Sequence, residues 1–112
     1  MSELFEKKCK ACEGDAKALN HEQIHNLLPQ LSKEWCLEES PYLLKRMVHF
    51  KNYYHTMAFV NALAYIAHLE NHHPDLKISY NHCEIIWQTH ALGGLSLNDF
   101  ICASKTEQLL QR

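Results

Sequence analysis

Two pairs of strand-length segments, each closed by a short turn, stand on either side of one long helical stretch, and this alternation leaves the chain few architectures. Residues 35–39 and 42–50 are rich in aromatic and branched side chains and are separated by Ser40-Pro41, which reads as a hairpin. Residues 76–80 and 83–89, linked by Asn81-His82, read as a second one. Between them Asn52 can cap a helix whose Tyr53, Met57, Val60, Ala64 and Ala67 recur at helical spacing. That helix should end near Asn71, because the residue before Pro74 resists helical angles. Upstream, Asn20 with Gln23 fits a capping box opening a first helix, with Ile24, Leu27, Leu28 and Leu31 on one face and an end near Pro29. Downstream, Gly93-Gly94 breaks the chain and the pair Ser96 and Asp99 opens a last helix, with Phe100, Ala103, Leu109 and Leu110 inward. The expected fold is therefore α+β, a four-stranded antiparallel sheet with three helices packed on one face, in the order α-β-β-α-β-β-α. So small a sheet has edges to cover, and a second copy of the chain is one way to cover them.

At 112 residues the chain suits one domain with a real core. Residues 1–19 carry charge and no sustained apolar period, so they are expected to form an N-terminal arm off the core, with the domain spanning 20–112. A net charge of −2 gives no general attraction to nucleic acid or anionic lipid. The longest apolar stretch, 57–67, is broken by Asn61 and falls short of the roughly 20 residues that cross a bilayer. Residues 1–10 mix Glu and Lys and lack the apolar centre of a secretory signal. Five scattered cysteines, an odd number, argue against a disulfide framework and for reduced thiols in the cytoplasm.

Nine histidines are the compositional anomaly. The densest run is His68, then His72-His73-Pro74, followed by Tyr80, Thr89-His90 and Asp99. His68 and His72 fall one turn apart at the end of the long helix, His73 in its exit turn and His90 at the end of the last strand, so that they can converge on one cleft. Imidazole both gives and takes a proton near neutral pH, which an acid/base elimination requires. Any one of these histidines is equally explained by the favourable interaction of His with a helix C-terminus, or as a satisfied strand-end polar group. The spacing as a whole is not.

On these residues the chain resembles the pterin-4a-carbinolamine dehydratase family. That family's signature is an acidic or similar residue, a His-His-Pro turn, an aromatic, a histidine and an aspartate, matched here by His68, His72-His73-Pro74, Tyr80, His90 and Asp99 with every interval kept. Trp35, Phe50-Lys51 and Gly94-Leu95-Ser96 fit the surrounding pattern, and the likeness covers residues 20–112. One position departs: the family commonly has Glu where this chain has His68. A neutral imidazole supplies no fixed negative charge, and Glu70 lies roughly 160° further round the helix.

The resemblance implies dehydration of 4a-hydroxytetrahydropterin to quinonoid dihydropterin, without a metal or other cofactor, in support of an aromatic amino-acid hydroxylase. It implies His72 and His90 in proton transfer and His73 orienting the pterin, with Pro74, Thr89, Ala91 and Leu92 lining the pocket. His68, Asp99 and Trp35 are expected to support the site. Asp99 is read either as orienting a histidine or as the helix cap, the cap being preferred. Trp35 and Trp87 are read as core aromatics or as stacking partners for the pterin. Relatives form homodimers or homotetramers, and mammalian ones also stabilise the dimer of a homeodomain transcription factor, so a binding module on the same fold is a rival reading. A zinc site through Cys9, Cys12, His21 and His25 is another, and a metal held by His68 and His72 a third.

Overall fold

The computed structural model of the chain describes residues 4–10 and 18–111. Its elements run α1 His21–Leu27, β1 Cys36–Glu38, β2 Leu43–His49, α2 Tyr53–Glu70, β3 Asp75–Ile78, β4 His82–Trp87 and α3 Leu97–Leu110, with short 3₁₀ turns at Leu4–Glu6, Leu28–Gln30 and His90–Leu92. The order of helices and strands is the expected one. All strand pairs are antiparallel and the spatial order is β1-β2-β4-β3. The two hairpins thus lie side by side, joined through β2 and β4.

Local chemistry explains the boundaries. The Asn20 carboxamide accepts from the Gln23 N–H at 2.8 Å while Gln23 Oε1 accepts from the Asn20 N–H at 2.9 Å, a reciprocal cap that starts α1. Pro29 falls in the 3₁₀ turn that follows α1. The Asn52 side chain accepts from the His55 N–H at 2.9 Å, and Asn71 at φ 51° ends α2 in the left-handed conformation that Asn tolerates. The second hairpin turns one residue earlier than Asn81-His82 suggests: the Ser79 N–H donates to the His82 carbonyl at 2.9 Å, and His82 is already in β4.

Register sets the two faces of the sheet. Leu44 pairs with Trp87 and Val48 with Cys83, and these four side chains are buried under the helices. On the other face Lys45 reaches Glu38 at 2.6 Å and Glu84 at 3.6 Å, a solvated surface. Arg46 faces inward opposite Ile85 and meets Glu107 of α3, whose carboxylate also accepts from the Trp35 indole N–H at 2.9 Å. Both members of the Arg46–Glu107 pair are largely withdrawn from water, so each needs the other.

Residues 4–10 depart from the expectation of an arm off the core. Leu4 is buried, the Phe5 carbonyl accepts from Lys105 Nζ at 2.9 Å, and the Lys10 N–H donates to Asn98 Oδ1 at 3.0 Å. The Cys9 N–H donates to Glu70 Oε1 at 2.9 Å. Much of this docking uses backbone groups of the segment against side chains of α2 and α3, which leaves no periodic signature in its own residues. Burial pushes the Glu70 carboxyl upward, but the Cys9 N–H and the charges of Lys105 and Lys8 outweigh it and hold the group below its ordinary 4.5.

Two outcomes follow. Glu107→Ala should lower the unfolding free energy by about 3 kcal/mol in urea titration, because it strands a half-buried guanidinium. Because the Glu70 value is depressed on folding, its contribution is fully present above about pH 4.5 and lost as pH falls through the folded value. The wild-type advantage over Glu70→Gln, about 1 kcal/mol at pH 7, should therefore shrink as unfolding is repeated at successively lower pH below that point.

Candidate active site

The left-handed Asn71 turns the chain off α2, and the His72 N–H donates back to the Ala67 carbonyl at 3.2 Å. This turn delivers the His72 ring to α3, where Nε2 lies 2.7 Å from Asp99 Oδ1. The ring stacks on Trp87 with centroids 5.4 Å apart and planes 24° from parallel. Asp99 is fully buried, and its other oxygen, Oδ2, accepts from the Ser96 N–H at 2.9 Å and from the Thr89 hydroxyl at 2.7 Å. Since the Thr89 proton goes to the carboxylate, the Ser96 hydroxyl, 2.8 Å away, donates to Thr89. Asp99 therefore both caps α3 and holds a histidine; the two readings of this residue are not alternatives. A carboxylate that accepts at Nε2 assigns the ring proton to that nitrogen and leaves the lone pair on Nδ1.

A hollow of about 390 Å³ opens beside this turn, its wall including His68, His72, His73 and Pro74 with Ala64, Ala67 and Leu76. That size suits a small heterocycle. A larger hollow of about 580 Å³ is lined by Lys7, Lys8, Lys10 and the start of α3, and among the described residues it holds no imidazole or carboxylate for proton transfer near neutral pH. His68 stands on the wall of the histidine hollow, while Glu70 is engaged by Cys9 and supplies no carboxylate there.

His90 is not on that wall. It is exposed, and its Nε2 lies 3.3 Å from Oδ2 of Asp75, the residue directly after Pro74. Ala91 and Leu92 follow His90 in the 3₁₀ turn, Ala91 exposed and Leu92 half-buried. Thr89 is buried with its hydroxyl engaged by Asp99 and Ser96, so it positions the site rather than lining the hollow. Trp35 is 5 % exposed, bonded to Glu107 and absent from the hollow's wall, the placement of a core aromatic, which is one of the two readings its sequence allows. Trp87 is fully buried and is the plate on which His72 rests. Its inward alternation with Thr89 was the sequence signal for that placement. Asp75 was not singled out, and its position after the His-His-Pro turn was the available clue.

Among the described residues Cys9 does not join His21 and His25 in one ligand group. Cys12 lies outside the described residues, and Cys9 packs on α3, its sulfur 3.7 Å from the Asn98 carbonyl. Among the described residues the group of ligand composition around His21 and His25 is completed by Glu39, and all three are exposed. His68 and His72 join no third ligand among the described residues, and His72 Nε2 is already engaged by Asp99.

Comparison with known proteins identifies the family. The family described as Pterin 4 alpha carbinolamine dehydratase matches residues 17–109. A protein of Legionella pneumophila (strain Corby) that carries the pterin-4-alpha-carbinolamine dehydratase name is 57% identical over 109 residues, covering 97% of this chain and 96% of its own. One from Nitrosomonas eutropha under the same name is 51% identical over 108 residues, covering 96% and 94%. Among solved structures, a transcriptional coactivator/pterin dehydratase from Brucella melitensis superposes with a TM-score of 0.77 at 22% identity, covering 83% of this chain and 98% of that one, a likeness of fold. No helix among the described residues is long and apolar enough to cross a membrane. With the signature interval, the topology and relatives of this identity all in agreement, the chain belongs to the pterin-4-alpha-carbinolamine dehydratase family of lyases.

Proposed function

We propose that this protein removes water from a 4a-hydroxytetrahydropterin, giving the quinonoid dihydropterin, by histidine acid/base chemistry at the His72 hollow. The observation that carries the reading is an imidazole fixed by a buried carboxylate on the wall of a heterocycle-sized cavity. Elimination needs a base for the proton on N5 and an acid for the hydroxyl on C4a; the proton and the hydroxyl leave as water and the N5–C4a double bond forms. In this reading His72 Nδ1 accepts the N5 proton, because Nε2 is committed to Asp99. His90, exposed beside the His-His-Pro turn, protonates the departing hydroxyl, and Asp75 restrains it. His73 binds and orients the ring, with Pro74, Ala91 and Leu92 around it, and His68 contributes a polar wall. No cofactor enters these steps.

The substrate is a product of aromatic amino-acid hydroxylases, so such an enzyme is the functional partner we propose. A homodimer or homotetramer is supported by the open edges of β1 and β3 and by exposed Tyr54, Tyr65 and Leu69 on α2. A reducing cytoplasm suits the free thiols of Cys9, Cys36, Cys83 and Cys102.

The test is stopped-flow decay of enzymatically generated 4a-hydroxytetrahydropterin with and without the protein. Acceleration is expected, and equal decay would reject the reading. In the same assay His72→Ala and His90→Ala should each lower kcat by roughly 10²–10⁴-fold. Asp99→Asn should act on kcat by about tenfold or more with KM little changed, as a positioning residue does; a change confined to KM would place Asp99 in binding instead.

A further inference from the structure

Cys9 and Cys102 stand 93 positions apart in sequence, yet their sulfurs are 3.5 Å apart. We propose that these two thiols form a reversible disulfide that clamps residues 4–10 to α3, with a hydroperoxide as the oxidant. The inference is independent of the reaction assigned to the histidine hollow.

The pair is held in place before any bond forms. Cys9 is anchored through its N–H to Glu70, its neighbour Lys10 exchanges two hydrogen bonds with Asn98 at 3.0 and 2.6 Å, and Phe5 is tied to Lys105. The sulfurs need to approach by only about 1.5 Å to reach bonding distance. The other described thiols lack this arrangement: Cys83 is buried within the sheet and Cys36 is exposed on β1, and neither meets a second sulfur among the described residues.

Exposure divides the roles. Cys9 is half-buried and reachable from solvent, which makes it the sulfur that meets the oxidant first. Cys102 is enclosed, and its hydrogen bond with Cys9 together with burial pushes its thiol upward, so it waits protonated. In the first step Cys9, having given up its proton, attacks the hydroperoxide: an S–O bond forms, the O–O bond breaks, the departing alkoxide or hydroxide takes up the proton that the thiol released and leaves as an alcohol or water, and the sulfur is oxidised by two electrons to a sulfenic acid. In the second step the Cys102 sulfur attacks that of Cys9: the S–S bond forms, the S–O bond breaks, and the departing hydroxide takes the Cys102 proton and leaves as water. The sum is two thiols and one hydroperoxide giving one disulfide, one water and one alcohol.

The bond would tie together the helix ends that carry the histidine site. Cys102 lies one turn beyond Asp99 on α3, and Glu70, the anchor of Cys9, ends α2 two residues before His72. Oxidation should therefore stiffen the junction on which the His72–Asp99 contact rests.

The experiment treats the full chain with stoichiometric hydrogen peroxide, alkylates the remaining thiols and maps peptides by mass spectrometry without reduction. A Cys9–Cys102 linked peptide, lighter by two hydrogens than the separate pair, is expected in the wild type and in Cys12→Ser alike. The midpoint of thermal unfolding should rise by at least about 5 °C, since the bond closes a long loop in the unfolded chain. Dithiothreitol should reverse both changes, and Cys9→Ser should show neither. Cys102 remaining fully alkylatable after Cys9 has been consumed, as a sulfinic acid or in a Cys9–Cys12 bond, would overturn the proposal. The wild-type map alone decides this, whatever the fate of a variant's fold.

Discussion

A carboxylate without a solvent shell is costly unless every oxygen finds a donor, and Asp99 is such a group. Its donors come from different parts of the chain: the backbone N–H of the α3 cap, the hydroxyl of Thr89 just beyond β4, and the ring of His72 just beyond α2. Removing any one leaves the others holding a partly unsatisfied buried charge. The loops that leave α2 and β4 are therefore bound to the start of α3 by electrostatics as well as by packing. The same requirement that organises the fold at this corner orients one imidazole.

That dual use sets a division of labour among the histidines. His72 is pinned on two sides, by Asp99 at one nitrogen and by the face of Trp87, which is itself held through its indole N–H to Thr106 at 3.2 Å. His73 and His90 are exposed, His90 restrained only by the longer contact to Asp75. In the reaction proposed above, a ring so held, beside exposed histidines, would leave little reorganisation for the moment of proton transfer. Holding the ring this firmly draws on the core directly beneath it.

Much of this was legible because the deciding interactions are local. Asn20, Asn52 and Ser96 announce helix starts through partners three residues away, and alternation in β4 puts Cys83, Ile85 and Trp87 inward without reference to the rest of the chain. Of the spacing from His68 to Asp99, His68, His72, His73 and Pro74 line one hollow and Asp99 bonds His72, while Tyr80 and His90 are not on its wall. What stayed hidden was non-local. Trp35 carries the same residue type whether it stacks on a ligand or bonds Glu107, and only its bond to α3 tells the two apart. The docking of residues 4–10 depends on Glu70, Asn98 and Lys105, some sixty to one hundred positions downstream, and no pattern in the segment itself reports it. Asp99 looked like a choice between cap and histidine partner because sequence does not reveal that its two oxygens face different ways.

The account rests on the His72 ring being committed to Asp99 through Nε2, with Nδ1 free for chemistry. Long-range ¹H–¹⁵N correlation spectra of the imidazole nitrogens, recorded above the pH at which the ring becomes doubly protonated, read this directly. The account predicts a protonated Nε2 and an unprotonated Nδ1 for His72, with that assignment lost in Asp99→Ala. A His72 ring carrying its proton on Nδ1, or one averaging freely between tautomers as an exposed histidine does, would contradict it.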